Sequence, residues 1–312
     1  MKRILYTLLT ILLLFIIYSY SFVPSEMVIS KTVFAKANKQ AMLRKLMNEA
    51  EWRHWWPGDQ KIQDGKLIFN YNKVNYQIVK KLYSGFDLSL SKDAFELYSM
   101  LSFIPLSTDS VEINWISTVH NSYNPVKRLQ QYLKVKSLSR DMDVILNDLR
   151  PFIERQENLY GFSINEVYVK DTLLVAVKER SQTYPSVQMI YDLIGKLKKY
   201  AKENHAQETN YPMLHINALD DVHFETMVAI PVNKELKGSG GILYKQMVAG
   251  KILVTEVKGG PSTVKNAQAQ IENFMADYHR TAPAIPFESL ITDRTLVTDT
   301  NQWRTRVYYP VY

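Results

Sequence analysis

The chain is 312 residues long, 46% apolar and 12% aromatic, which is enough material for two cored domains. It contains no cysteine, which excludes a disulfide framework, a thiolate metal site and a thiol nucleophile. The formal charge of +7 is uneven: residues 156–312 carry 17 Lys and Arg against 17 Asp and Glu, whereas residues 25–155 carry 19 against 14. A nucleic-acid binder shows a basic stripe or a reading helix. Neither is legible, so no nucleic-acid partner is expected, and the surplus reads as a mildly basic solvated surface.

Residues 4–23, ILYTLLTILLLFIIYSYSFV, carry no charge. At about 1.5 Å per helical residue this run spans the hydrocarbon of a bilayer. Lys2 and Arg3 precede it, which favours an inside N-terminus and an outside remainder. Residues 1–24 are therefore expected to be a transmembrane anchor. A cleaved signal peptide is the alternative, although YSYSFVPSE lacks an A-x-A site. Either reading places the soluble part on the outer, periplasmic face of the cytoplasmic membrane.

Residues 26–36 alternate as a strand with apolar residues on both faces, and a helix over 38–48 follows with Asn38 as its cap. After EWRHWWPGD at 51–59 come short alternating runs at 66–71, 75–82, 85–91, 95–104 and 111–120. Turn residues separate them, as in an antiparallel meander. A helix over 132–155 closes this half, with Val135, Leu138, Met142, Ile145, Leu149 and Phe152 at spacings of three and four. This element order, with the Trp52–Pro57 turn, resembles the START-like (polyketide cyclase/lipid-transfer) helix-grip fold. The resemblance implies, for residues 25–155, a sheet gripping a long helix around an apolar cavity, and an apolar ligand in it. Trp52, Trp55 and Trp56, with His54, gate that cavity or simply pack where helix meets sheet. Glu112 and His120 share one strand face as a candidate acid–base pair.

Residues 156–161 read as a polar hinge, and beyond them the chain repeats itself. The first copy is LLVAV (173–177), a helix over 186–204, YPMLHIN (211–217) and FETMVAIPV (224–232). The second is ILVTEV (252–257), a helix over 262–280, PFESLITD (286–293) and WRTRVYYPV (303–311). The offset is roughly 75 to 80 residues, too long for a solenoid repeat. Two β-α-β-β halves predict one α+β domain over 156–312 with internal pseudo-twofold symmetry and a crevice between the halves. Ser186 and Ser262 are the expected helix caps. Residues 233–241, NKELKGSGG, read as a flexible connector; no Lys-Ser/Thr follows to make it a phosphate loop.

The ordered set Gly259-Gly260-Pro261, Glu288, Trp303-Arg304-Thr305 and Tyr309-Pro310-Val311 resembles the gyrase-inhibitor-like domain, the effector-binding domain of bacterial transcription activators. The resemblance implies a small amphipathic or cationic ligand held between the two halves, with Glu288 as the cation-recognising acid. In the activators this domain is joined to a DNA-binding module; here an anchor and a second ligand-type domain stand in that place. Some family members are hydrolases, which implies an alternative with Glu288 as general base and Tyr309 as hydrogen-bond donor.

The residues themselves support a special position for Glu288. It sits in a strand among Phe287, Leu290 and Ile291, where an unpartnered carboxylate is costly. Its counterpart in the first copy is Met213, so an acid is expected on one wall of the crevice only. Tyr308, Tyr309 and Trp303 are expected to supply an aromatic wall for a cation, and Glu256 is a further candidate. The structural alternatives are a cross-strand pair between Glu288 and Arg304 or Arg306, and a solvated edge carboxylate for Glu256. Glu225 is expected to pair at the surface. His215 and His223 lack a third ligand, so no metal is expected. No H-E-x-x-H, G-x-S-x-G or P-loop pattern occurs, so no cofactor is expected. The expected function is a membrane-anchored, non-enzymatic binder without an obligatory protein partner; a hydrolase or an envelope scaffold without ligand is the alternative.

Overall fold

The computed structural model describes residues 2–92 and 95–312. It is a mixed α+β protein with two antiparallel sheets, and it divides into two compact units, Met1–Arg155 and Gln156–Tyr312.

The first unit begins with helix α1 (Lys2–Phe22), whose span Arg3–Phe22 is long and apolar enough to cross a membrane. Its end is tied to the start of a later helix, α3 (Pro125–Glu154). There the buried Arg128 of α3 donates Nε and Nη2 to the Val23 carbonyl at 2.8 and 2.5 Å. A guanidinium suits that place, where the last carbonyls of α1 lack helical partners.

Strand β1 (Glu26–Ala35), helix α2 (Lys39–Leu46), β2 (Asp59–Gln63), β3 (Lys66–Tyr71), β4 (Val74–Leu82), β5 (Gly85–Lys92), β6 (Phe95–Ser107) and β7 (Ser110–His120) complete this unit. The seven strands run in the order β1-β7-β6-β5-β4-β3-β2. Asn38 caps α2 through Gln40 and Ala41 amides. Of the two apolar faces of β1, Met27, Ile29 and Ala35 are buried, whereas Val28 and Phe34 stay exposed. Helix α3 begins seven residues before the expected start, at a cap by Asn124 whose Oδ1 accepts from Val126 and Lys127, with Pro125 first in the helix.

The Trp-rich turn is core. Trp52, Trp55 and Trp56 are all buried, with Trp52 ring centroids 5.0 Å from Trp55 and Phe69 and 5.3 Å from Phe86. Gly58 closes this turn where a Cβ would lie 1.8 Å from the Asn70 carbonyl oxygen, so no larger residue fits. A hollow beside α3, between Val74, Leu90, Phe95 and Leu138, measures about 20 Å³, room for a single water. Glu112 accepts from Asn114, and His120 lies exposed at the end of β7.

The second unit holds helix α4 (Gln156–Tyr160), β8 (Asn165–Tyr168), β9 (Leu173–Ser181), α5 (Val187–Glu203), β10 (Met213–Ala218), β11 (Phe224–Pro231), β12 (Ile242–Gln246), β13 (Lys251–Lys258), α6 (Pro261–Asp277), β14 (Phe287–Leu290) and β15 (Arg304–Val311). Residues expected to form a hinge are thus partly helical: Tyr160 is buried and donates its hydroxyl to Asp277 of α6 at 2.8 Å. Ser186 caps α5 through the Met189 amide, as expected. Helix α6 departs from expectation: Gly260 is its cap, without a side-chain bond, and Pro261 rather than Ser262 opens it. The connector at 233–241 is partly anchored, since Leu236 is buried in the core.

The eight strands run β12-β9-β11-β10-β14-β15-β13-β8, all antiparallel. The alternation of side chains then sorts residues by face. On one face Val175, Val177, Leu214, Val228, Ile230 and Leu290 pack with Ile190, Leu193, Ile194 and Leu197 of α5. On the other face Leu174, Ala176, Met213 and Ala229 cluster with Met247 and Phe287.

Candidate functional site

The face turned away from the helices carries a hollow of about 740 Å³, within the size range of ligand pockets. Its walls are Leu174, Met213, Met227, Ala229, Phe287 and Pro310 from the sheet. Loop residues Met247, Val248, Pro283 and Ile285 complete it. Strands β12 and β8 are the two edges of the sheet, yet the segments that follow them meet. The Val169 amide donates to Gly250 at 3.0 Å and the Met247 amide to Thr172 at 2.7 Å. The sheet therefore curls around its open face and encloses apolar side chains from nearly every strand. Three cations border the hollow, Lys245, Lys251 and Arg280. Glu166 bridges two of them, with Lys251 at 2.7 Å and Arg280 at 2.5 Å. The bond from Lys251 holds the Glu166 carboxyl below its usual range.

The five residues singled out in sequence lie on both faces, because neighbours along a strand alternate. Glu288 and Tyr309 point to the helical face. Tyr308 and Glu256 point to the opposite one. Tyr309 donates its hydroxyl to Glu272 of α6 at 2.9 Å, while Tyr308 stacks on Phe287 at 4.9 Å. Glu256 is held by Arg304 and Arg306, each Nε at 2.9 Å, and the Arg304 bond chiefly lowers its pKa. It is thus neutralised on the sheet surface. Glu225 makes the same kind of pair with Lys178 at 2.5 Å. His223 pairs with Asp220 at 2.7 Å, and burial keeps the His215 ring below its ordinary pKa. Among the described residues no group of three His, Asp or Glu is placed to hold a metal ion.

Glu288 has a partner that sequence reasoning missed. Arg294, in the loop after β14, places Nη2 3.5 Å from the Glu288 carboxylate and 2.9 Å from Thr305 Oγ1. Its guanidinium lies 4.8 Å from the centre of the Trp303 ring. Both side chains are nearly buried, at 13% exposure for Glu288 and 8% for Arg294. The loop is held by Tyr191 of α5, which accepts from the Arg294 amide at 2.7 Å and donates to the Thr292 carbonyl at 3.1 Å. Glu288, Trp303 and a cation do come together, and the cation is the chain's own.

Burial raises the Glu288 carboxyl above its ordinary pKa, and the Arg294 charge only partly offsets this. The native state therefore holds this proton more tightly than the unfolded chain. Stability from this group is present at low pH and is lost as pH rises from about 4.5 through the raised value. Glu288→Gln cannot ionise. Measured by urea unfolding, wild type should lose ground to this variant with rising pH across that window. A constant difference would mean that Arg294 balances burial, and one of opposite sign that Arg294 outweighs it.

No family model matches the chain, and no curated protein matches it. Solved structures do. The C-terminal domain of EcmrR is matched at 15% identity and a TM-score of 0.42, over 48% of this chain and 98% of that one. A hydrolase from Listeria innocua is matched at 10% identity and a TM-score of 0.37, over 48% and 92%. SAV2435 bound to tetraphenylphosphonium is matched at 15% identity and a TM-score of 0.32, over 48% and 94%.

Proposed function

We propose that this protein is a membrane-anchored, non-enzymatic binder that holds a small amphipathic molecule in the hollow on the open face of its second sheet. The observation that carries the reading is a 740 Å³ space walled by methionine, aromatic and aliphatic side chains. An exposed apolar hollow of that size is costly unless something fills it. Methionines suit such a wall, since their flexible side chains adapt to ligands of different shape.

Two further features support the reading. Strand order read from either edge of the second sheet pairs β12 with β8, β9 with β13, β11 with β15 and β10 with β14. This agrees with a duplicated β-α-β-β unit whose halves share the hollow. Helix α1 acts as the anchor, and the basic residues Lys2 and Arg3 at its N-terminal end favour units on the outer face. The first unit, with its long helix against a seven-stranded meander, is a START-like module in this reading.

A second reading is favoured by the Glu288, Arg294 and Trp303 cluster. That place accepts a cation between a buried acid and an aromatic ring, and a lipophilic cation binds there by displacing Arg294.

Native mass spectrometry of the full-length chain, released from its host's membranes, tests the first reading. The expected spectrum contains the chain with a small-molecule adduct. A chain that carries no adduct and also takes up no neutral apolar dye contradicts it.

A further inference from the structure

The chemistry of the hollow's border narrows the class of molecule, on the reading that the hollow is a binding site. We propose that its occupant is an amphiphile with an anionic head group, held by Lys245.

Three observations carry this. The first is a charge imbalance: among the described residues that line the hollow, Lys245, Lys251 and Arg280 are cations and none has an acidic side chain. The second is the distribution of partners. Glu166 neutralises Lys251 and Arg280, and Arg280 also donates to the main-chain oxygen of Tyr312 at 3.0 Å. Lys245 has no ion pair among the described residues. The third is direction. Lys245 stands directly opposite Leu174 in the β12–β9 ladder, so its side chain leaves the same face as Leu174. Leu174 belongs to the apolar cluster of that face. The ammonium is therefore attached to the wall of the hollow, at half-buried exposure.

A tail in the apolar part and a head near Lys245 satisfy both. A carboxylate, sulfate or phosphate monoester would gain a charge-assisted bond in a partly desolvated place. A cationic head would meet like charges there and bind worst. This sets the hollow apart from the Glu288 cluster on the other face, whose acid selects the opposite sign.

The test uses the full-length chain held in a polymer belt, loaded with a neutral apolar fluorescent dye, with the protein-free belt as blank. Dodecanoic acid, dodecanol and dodecylamine compete for the dye. The acid should displace it at a concentration at least about tenfold lower than the alcohol, with the amine weakest. Lys245→Gln should remove the acid's advantage and leave the alcohol unchanged, while Lys245→Arg should keep it. Equal displacement by acid and alcohol in the wild type overturns the proposal, as does an advantage that survives Lys245→Gln. If none of the three displaces dye, the hollow is no binding site, and the failure lies with the underlying reading instead.

Discussion

Replacing Ala229 with Trp is expected to lower the affinity of the second unit for a neutral apolar dye at least about tenfold, at a cost of about 1–3 kcal/mol in stability. Ala229 lies on β11 opposite Met213 and Ala176, in the middle of the open face. Its side chain is small, and the space in front of it measures about 740 Å³. An indole placed there projects into the hollow rather than into the α5 core, which Val228 and Ile230 contact from the other face. Most of the added ring extends into the hollow, and only the part nearest the backbone displaces packed atoms. Because Ala229 itself is 6% exposed, some local repacking accompanies the change. Met227→Trp, on the more open part of the same wall, serves as the second plug. Fluorescence titration decides the matter, with urea unfolding as the control. Unchanged dye affinity in two folded plug variants would place the ligand elsewhere.

The other large effect concerns the first unit. Trp52→Ala is expected to cost about 3–5 kcal/mol in unfolding free energy. Trp52 is 1% exposed and meets Trp55, Trp56, Phe69 and Phe86. Its Nε1 donates to the Leu46 carbonyl at 2.8 Å, at the end of α2. Alanine removes the ring contacts, opens a cavity and leaves that carbonyl unpartnered. Trp52→Phe keeps an aromatic ring and loses the hydrogen bond, so its cost should be near the lower range for a buried bond, about 1–3 kcal/mol. Denaturant unfolding followed by fluorescence gives both numbers. A loss below about 1 kcal/mol for Trp52→Ala would show that the cluster is not the centre of this core.

Much of this architecture was legible as period and punctuation. The alternating runs gave β1 and β3 to β7 of the first unit to within a few residues, whereas β2, just after the Trp-rich turn, was missed. The apolar stripe of 187–197 gave α5, and the Asn38 and Ser186 caps were readable from residue type. Elements without such signals were missed. Strand β8, NEVY, is exposed at all four positions, so it has no apolar pattern to read. Strand β12 spans only five residues after a run of glycines. The first two turns of α3 are largely polar, and only the Asn124-Pro125 pair marked its start.

The site was legible in part. The continuous apolar runs LLVAV and ILV bury both faces of their strands. Helices cover one face alone, so the other faces needed a second occupant, and the hollow lies there. Parity also carried information: Tyr308 and Tyr309 are adjacent in a strand and cannot line the same wall. Arg294 was hidden for a different reason. It lies in an irregular loop, and only the fold of that loop onto Tyr191 brings it to Glu288. No local pattern encodes such a contact.

The most direct test of the central claim is to map where a neutral, diazirine-bearing apolar probe attaches to the full-length chain in membranes. Labelling on the peptides that contain Met213, Met227 and Met247, lost in Ala229→Trp, is the predicted result. Labelling confined to Tyr191, Trp303 and the α5 and α6 peptides, unaffected by that substitution, would contradict it.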